Sequence, residues 1–189
     1  MSIKLITGPS AEPVTLAEVK LALSIDGTDR DTRITKLIIA AREQAEHETD
    51  SAFMTQTWEL AVDAFPSSEF RLPKPPLIDI VSVKYDDPAG VEQTLISAEY
   101  TFDSYSKPGF IMPAYGASWP DTLEGANAVR VRYTAGYGPD ATYVPERVKE
   151  WISVAVGSML ASPDGLVDSR LTVPAYIARM LDGSRVIAL

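Results

Sequence analysis

The stretch Thr55-Gln56-Thr57-Trp58-Glu59-Leu60-Ala61-Val62-Asp63-Ala64 is where the hydrophobic period of the chain changes. Trp58, Leu60, Val62 and Ala64 alternate with Thr57, Glu59, Ala61 and Asp63, which predicts a half-buried strand. Everything before it reads with a helical period. In Val14-Thr15-Leu16-Ala17-Glu18-Val19, Thr15 can cap the N3 amide while Glu18 reaches back to the Thr15 amide, and Val14 can staple onto Val19. A short helix therefore starts at Leu16, with Gly27 beyond its end. A second helix is predicted from Asp29 or Asp31 to about Thr49, with Ile34, Leu37, Ile38, Ala41 and Ala45 on one stripe.

Beyond Ala64 the two-residue period recurs. Ile78 to Tyr85 sets Val81, Val83 and Tyr85 on one face, and Val129 to Tyr133 puts Arg130 and Arg132 on the other. The run Asp86-Asp87-Pro88-Ala89-Gly90 is a turn between strands. Shorter strands are predicted at 70–72, 91–96, 100–105 and 109–112. Helix returns after Pro145, where Val148, Trp151, Ile152, Ala155, Val156 and Met159 form a broad stripe, and Ser162-Pro163-Asp164-Gly165 stops it. The expected fold class is α+β: a small helical bundle of two N-terminal helices plus C-terminal helices, with an inserted antiparallel β region. The expected layout is a single domain over 1–189, helical at 12–52, β insertion at 53–143, and C-terminal helices and tail at 144–189.

With 189 residues, 46% of them hydrophobic and 23% charged, the chain can bury a core without covalent staples. It contains no cysteine, which removes thiolate catalysis, disulfides and cysteine-held metals. Its single histidine, His47, lacks the HExxH spacing, and helical histidines among carboxylates are mostly solvated. Glu43, Glu46, Glu48 and Asp50 read as a wet charge run. Asp63, Glu69, Asp86, Asp87 and Asp103 offer only the pairs any acidic protein offers, and Asp26 to Asp31 lacks the closing Glu of a calcium loop. Ala135-Gly136-Tyr137-Gly138-Pro139 reads as a tight strand-to-helix turn, not a phosphate cradle, and no cofactor motif occurs. Trp58, Trp119 and Trp151 read as packing residues.

The net charge is −9: residues 1–50 contribute −3, residues 51–143 contribute −6 and residues 144–189 contribute nothing. Such a surface repels nucleic-acid phosphates. The start resembles no secretory signal and Trp151 to Ala161 is far shorter than a membrane span, so a soluble protein without membrane partners is expected.

The order of signals resembles one family. LITGPSAEPVTLAEVK, LIIAAREQAEHETD, QTWELAVDAFP, RLPKPPLIDIVSVKYDD and VRVRYTAGYG follow one another as in the head-to-tail connectors, or neck adaptors, of tailed bacteriophages and prophages. The similarity covers residues 3 to 160. It implies a structural protein and not an enzyme: a homo-oligomeric ring, typically dodecameric, in the virion neck beneath the portal protein, assembled in the host cytoplasm. It further implies that the ring extends a channel through which DNA passes without specific binding, and that a downstream neck or tail-completion protein binds below. The alternatives are a β-rich module binding carbohydrate or peptide, and a carboxylate hydrolase. Past Pro174, Tyr176, Ile177, Met180 and Leu181 recur at helical spacing and are the expected partner-binding residues, either docked on the portal or packed back onto their own bundle.

Overall fold

The computed structural model describes residues 1–161, 177 and 179–186. In chain order the elements are β1 (Ser2–Thr7), α1 (Leu16–Ala22), α2 (Asp31–Thr49), β2 (Gln56–Val62), β3 (Phe70–Arg71), β4 (Leu77–Asp86), β5 (Glu92–Leu95), β6 (Tyr100–Asp103), β7 (Phe110–Pro113), β8 (Val129–Ala135) and α3 (Glu146–Ala161). They form two compact units: residues 1–9 with 55–137, and residues 10–54 with 138–189. The helices and the antiparallel β region of the expected α+β class are both present.

The helical unit starts as its sequence dictates. Thr15 accepts a hydrogen bond from the Glu18 amide at 3.2 Å, and the Glu18 carboxylate accepts from the Thr15 amide at 2.7 Å, closing the capping box. Val14 and Val19 are both buried. On α2 the stripe Ile34, Ile38, Ala41 and Ala45 is buried, with Leu37 at its margin. From α3, Val148, Trp151, Ile152 and Val156 are buried, while Ala155 and Met159 are half-buried. All three helices contact one another. Asp50 closes α2 in the left-handed conformation at φ 52°.

The β unit holds a five-stranded sheet in the order β1-β2-β8-β4-β5 and a three-stranded sheet in the order β3-β7-β6. Every pairing is antiparallel. In β8, Val129, Val131, Tyr133 and Ala135 are buried and Arg130, Arg132 and Thr134 lie on the opposite face, as alternation predicts. Trp58 opposes Tyr133, Leu60 opposes Val131 and Val62 opposes Val129, so β2 shares that inner face.

The alternation expected in β4 fails at two residues, Ile78 and Val81. Leu77, Ile80 and Val83 are buried, but Val81 is 55% exposed and not beside Val83. The register against β8 explains it: Ile80 pairs with Tyr133 and Ser82 with Arg132, so Val81 is an extra residue, as Ile78 is between Leu77 and Asp79. Two bulges in one strand break the period-two rule twice, and each extrudes one apolar side chain.

At the root of β7, Gly109 passes so close to Leu77 that an added Cβ would lie 2.6 Å from the Leu77 Cβ and 2.7 Å from the Asp103 carbonyl oxygen. Neither atom can swing away. Gly109→Ala is therefore expected to cost about 1–3 kcal/mol, read as a lower urea midpoint at unchanged slope; a neutral result would mean the strand root can shift.

Candidate interaction site

Helical spacing marked Tyr176, Ile177, Met180 and Leu181 as a docking stripe. Ile177 is 3% exposed and Leu181 fully buried, Met180 is half-buried, and Tyr176 lies outside the described residues. Hydrogen bonds fasten the same segment to its own unit. Arg147 on α3 donates to the Gly183 carbonyl at 3.0 Å and to the Ser184 hydroxyl at 3.3 Å. The Ser51 hydroxyl donates to the Ser184 carbonyl at 2.9 Å, and the Val186 amide to the Thr49 carbonyl at 3.1 Å. These contacts close the C-terminal end of α2, where backbone carbonyls need donors. Of the two alternatives, this geometry supports packing back onto the bundle: spacing tells which residues share a face, not what covers it.

The charge run at the end of α2 is not wet throughout. His47, Glu43, Glu48 and Asp50 are exposed, but Glu46 is buried. It accepts from Arg42 at 2.8 Å and from the Phe53 amide at 2.8 Å, and Arg42 also donates to Glu12 at 2.8 Å. Burial opposes the charge on Arg42, yet its hydrogen bonds to Glu12 and Glu46 raise its pKa. The i, i+4 spacing of Arg42 and Glu46 was visible in the sequence, whereas their shared burial was not.

The carboxylates considered for hydrolysis, and those beside them in the sheet, have structural partners. Arg130 pairs with Asp86 at 2.7 Å and with Glu92 at 3.0 Å, Lys84 pairs with Glu92 at 2.7 Å, and Arg132 pairs with Glu59 at 2.7 Å. Asp87 holds the β4–β5 turn by accepting from the Ala89 and Val91 amides and from Gln93. Asp63 accepts from the Asn127 amide, and Asp103 from the Tyr105 amide and the Ser106 hydroxyl. Glu69 faces Arg71 at 3.8 Å. Among the described residues no group of three His, Asp or Glu side chains is arranged to hold a metal, and no helix is long and apolar enough to cross a membrane.

These donors hold several carboxylates below their ordinary range: Asp86 through Arg130, Asp87 through the Val91 amide and then Gln93, Glu92 through Lys84, and Asp103 through Ser106 and then Tyr105. A carboxylate with a depressed folded pKa stabilises the fold above its unfolded pKa of about 4 and loses that contribution as pH falls through the folded value. The unfolding midpoint is thus expected to hold from neutral pH to about pH 5 and to fall below about pH 4. A midpoint flat down to pH 2 would contradict these hydrogen bonds.

The glycine-rich turn offers no anion cradle. The Gly136 amide is spent on the Pro76 carbonyl at 2.9 Å, and at Gly138 an added Cβ would meet the Tyr143 ring at 2.3 Å. Trp151 is buried; Trp58 is half-buried, and its indole nitrogen has no hydrogen-bond acceptor among the described residues. Trp119 stacks on Phe65 at 4.6 Å and 5°, and its indole N–H is committed to the Ser68 carbonyl at 2.9 Å. What alternation and motif spacing missed is the tip of the β6–β7 hairpin, where Tyr105 is 96% exposed. The Asp-Ser-Tyr-Ser turn was its signal, because Asp103 fixes the backbone that presents it.

Comparison with known proteins points in one direction. Residues 13–95 match the model of the family described as phage gp6-like head-tail connector protein. A chain in the neck of an empty gene transfer agent particle, computed with C6 symmetry, has the same fold with a TM-score of 0.83 at 19% identity, over 100% of this chain and 97% of that one. A chain of the virion of a native gene transfer agent particle matches with a TM-score of 0.80 at 19% identity, again over 100% and 97%. A chain from the neck of the native particle, computed with C12 symmetry, gives 0.79 at 20% identity over the same shares. No curated protein sequence matches significantly. The resemblance read from the sequence therefore stands: residues 13–95 carry the pattern of the phage gp6-like head-tail connector family, within a chain whose whole length has the fold of gene transfer agent neck proteins.

Proposed function

We propose that this protein is a structural head-to-tail connector: a ring of identical copies beneath the portal protein at the virion neck, extending the DNA channel and offering a platform to a downstream neck or tail-completion protein. The observation that carries the reading is the coincidence of the connector pattern at residues 13–95 with a neck-protein fold over the full length. Likeness to chains in necks computed with C6 and C12 symmetry supports a ring oligomer, with twelve as the expected copy number. The role is structural, not catalytic. The carboxylates that could have formed a hydrolytic pair are tied to arginine, lysine or backbone donors, which supports this. A net charge of −9 suits a wall past which DNA must slide, since phosphates are repelled and not gripped.

A ring of many copies needs head-to-tail contacts, one face of a subunit against a different face of its neighbour. The isolated protein is expected to be monomeric or weakly associated, because the portal supplies template and local concentration during assembly in the host cytoplasm. Docking of Tyr176, Ile177, Met180 and Leu181 on the portal requires the segment to leave its own unit, given the burial of Ile177 and Leu181. Imaging of particles that carry this chain should reveal a closed ring of it in the neck; one copy per neck, or a position away from the neck, would overturn the reading.

A further inference from the structure

The five-stranded sheet ends in two open edges with opposite character. Among the described residues β1 forms one edge, paired only with β2, and β5 forms the other, paired only with β4. Residues 1–9 carry Lys4 and no carboxylate, and Lys4 has no ion-pair partner among the described residues. Residues 86–99 carry Asp86, Asp87, Glu92 and Glu99 and no lysine or arginine. One edge thus carries a lysine and the other a row of carboxylates, of which Asp86 and Glu92 also pair with Arg130 and Lys84 of the neighbouring strands.

The faces correspond as well. Lys4 opposes Glu59, Glu59 opposes Arg132, Lys84 opposes Arg130 and Asp86 opposes Glu92, so Lys4 and Glu92 stand on the same, charged face of the sheet. Ile3 opposes Leu60, Leu5 opposes Trp58 and Leu95 opposes Val83, which puts Ile3, Leu5 and Leu95 on the other, inner face. Apolar exposure follows the edges: Ile3 is 39% and Leu5 43% exposed, while Val91 and Ile96, flanking β5, are 55% and 61% exposed. The four antiparallel steps across the sheet leave β1 and β5 running in the same direction.

We propose that β1 of one copy pairs in parallel with β5 of the next, joining the five-stranded sheets of neighbouring copies edge to edge. This rests on the ring reading above and names the contact that closes it. Unsatisfied edge N–H and C=O groups gain partners, Lys4 meets the carboxylates around Glu92, and Ile3 and Leu5 extend the apolar side beyond Leu95. Because the two edges differ, the contact is heterologous, as a closing ring requires. Association between two β1 edges would oppose Lys4 to Lys4, and between two β5 edges would oppose carboxylate to carboxylate.

The absence of native cysteine makes the test clean. Ser2→Cys and Thr94→Cys are prepared as separate proteins, both positions being exposed and on the charged face, and a short bis-maleimide is applied to each at high concentration, alone and mixed. The contact predicts cross-linked dimers in the mixture and in neither protein alone, and a ladder of higher species in the double variant. Lys4→Glu should reduce the cross-linked yield several-fold, and Thr94→Lys added to it should restore association as measured by sedimentation of the cysteine-free protein. If microscopy shows rings but the mixture does not cross-link, the edge contact is wrong and the ring reading survives. Cross-linking within either single variant would replace it with a symmetric contact. Particles that carry this chain without a ring of it in the neck, and without the cross-link between the two cysteine variants, count against both.

Discussion

Replacing Arg42 by methionine is expected to lower stability by about 3–5 kcal/mol, because it leaves a buried carboxylate without its counter-charge. The Arg42 side chain is 6% exposed and binds Glu12 and Glu46 together, while Glu46 also takes the Phe53 amide. One guanidinium thus joins the segment before α1, the body of α2 and the segment after it. For a chain of this length the loss corresponds to a fall in Tm of roughly 6–20 °C. Adding Glu46→Gln to the Arg42→Met protein should recover part of the loss, since the neutral amide can still accept from Phe53 and no longer requires a cation. A change below about 1 kcal/mol in the single variant would show that water solvates the pair.

Leu181→Ala should cost about 2–5 kcal/mol, the range for deleting a fully buried leucine side chain. Leu181 has no exposed surface, and the hydrogen bonds from Arg147, Ser51 and Val186 hold the turn that follows it. Deleting every residue after Leu171 removes Ile177 as well and should cost at least as much. Denaturant midpoints for the two variants, set beside their binding to portal protein, decide what the segment does. Loss of portal binding with an unchanged midpoint would make the segment a docking arm that leaves its unit.

How much was legible depended on whether the signal was local. The capping box at Thr15 and Glu18 contains its own donors and acceptors within four residues, so the start of α1 could be placed to the residue, while its end at Ala22 comes earlier than Gly27 suggests. β8 alternates without interruption because both its neighbours pair along its whole length. β4 did not yield in the same way: its bulges at Ile78 and Val81 are defined by the partner strand, and a sequence read alone has no partner. β1 went unread as a strand because Ile6 interrupts the alternation of Ile3, Lys4 and Leu5, and what makes these residues a strand is β2, fifty or more residues away. The C-terminal stripe had the right spacing, but its burial depends on Arg147, Thr49 and Ser51, which belong to other segments. The same holds for Glu46: the other carboxylates of its run are exposed, while it is buried and bonded to Arg42 and the Phe53 amide.

The interleaving of the two units has a consequence for synthesis. The helical unit needs α1 and α2 from the first 49 residues and α3 from residue 146 onward, with the β unit's strands 2 to 8 translated in between. At 5–20 residues per second, α2 waits roughly 5–20 s on the ribosome for its packing partner. During that interval the stripe Ile34, Ile38, Ala41 and Ala45 has only α1 against it. A nascent chain stalled before residue 146 should therefore recruit chaperones and resist solubilisation, whereas one stalled after residue 161 with a linker long enough to clear the exit tunnel should not. The helical unit is thus committed to folding late, after nearly the whole chain has been synthesised, whereas the β unit has all of its strands by residue 137.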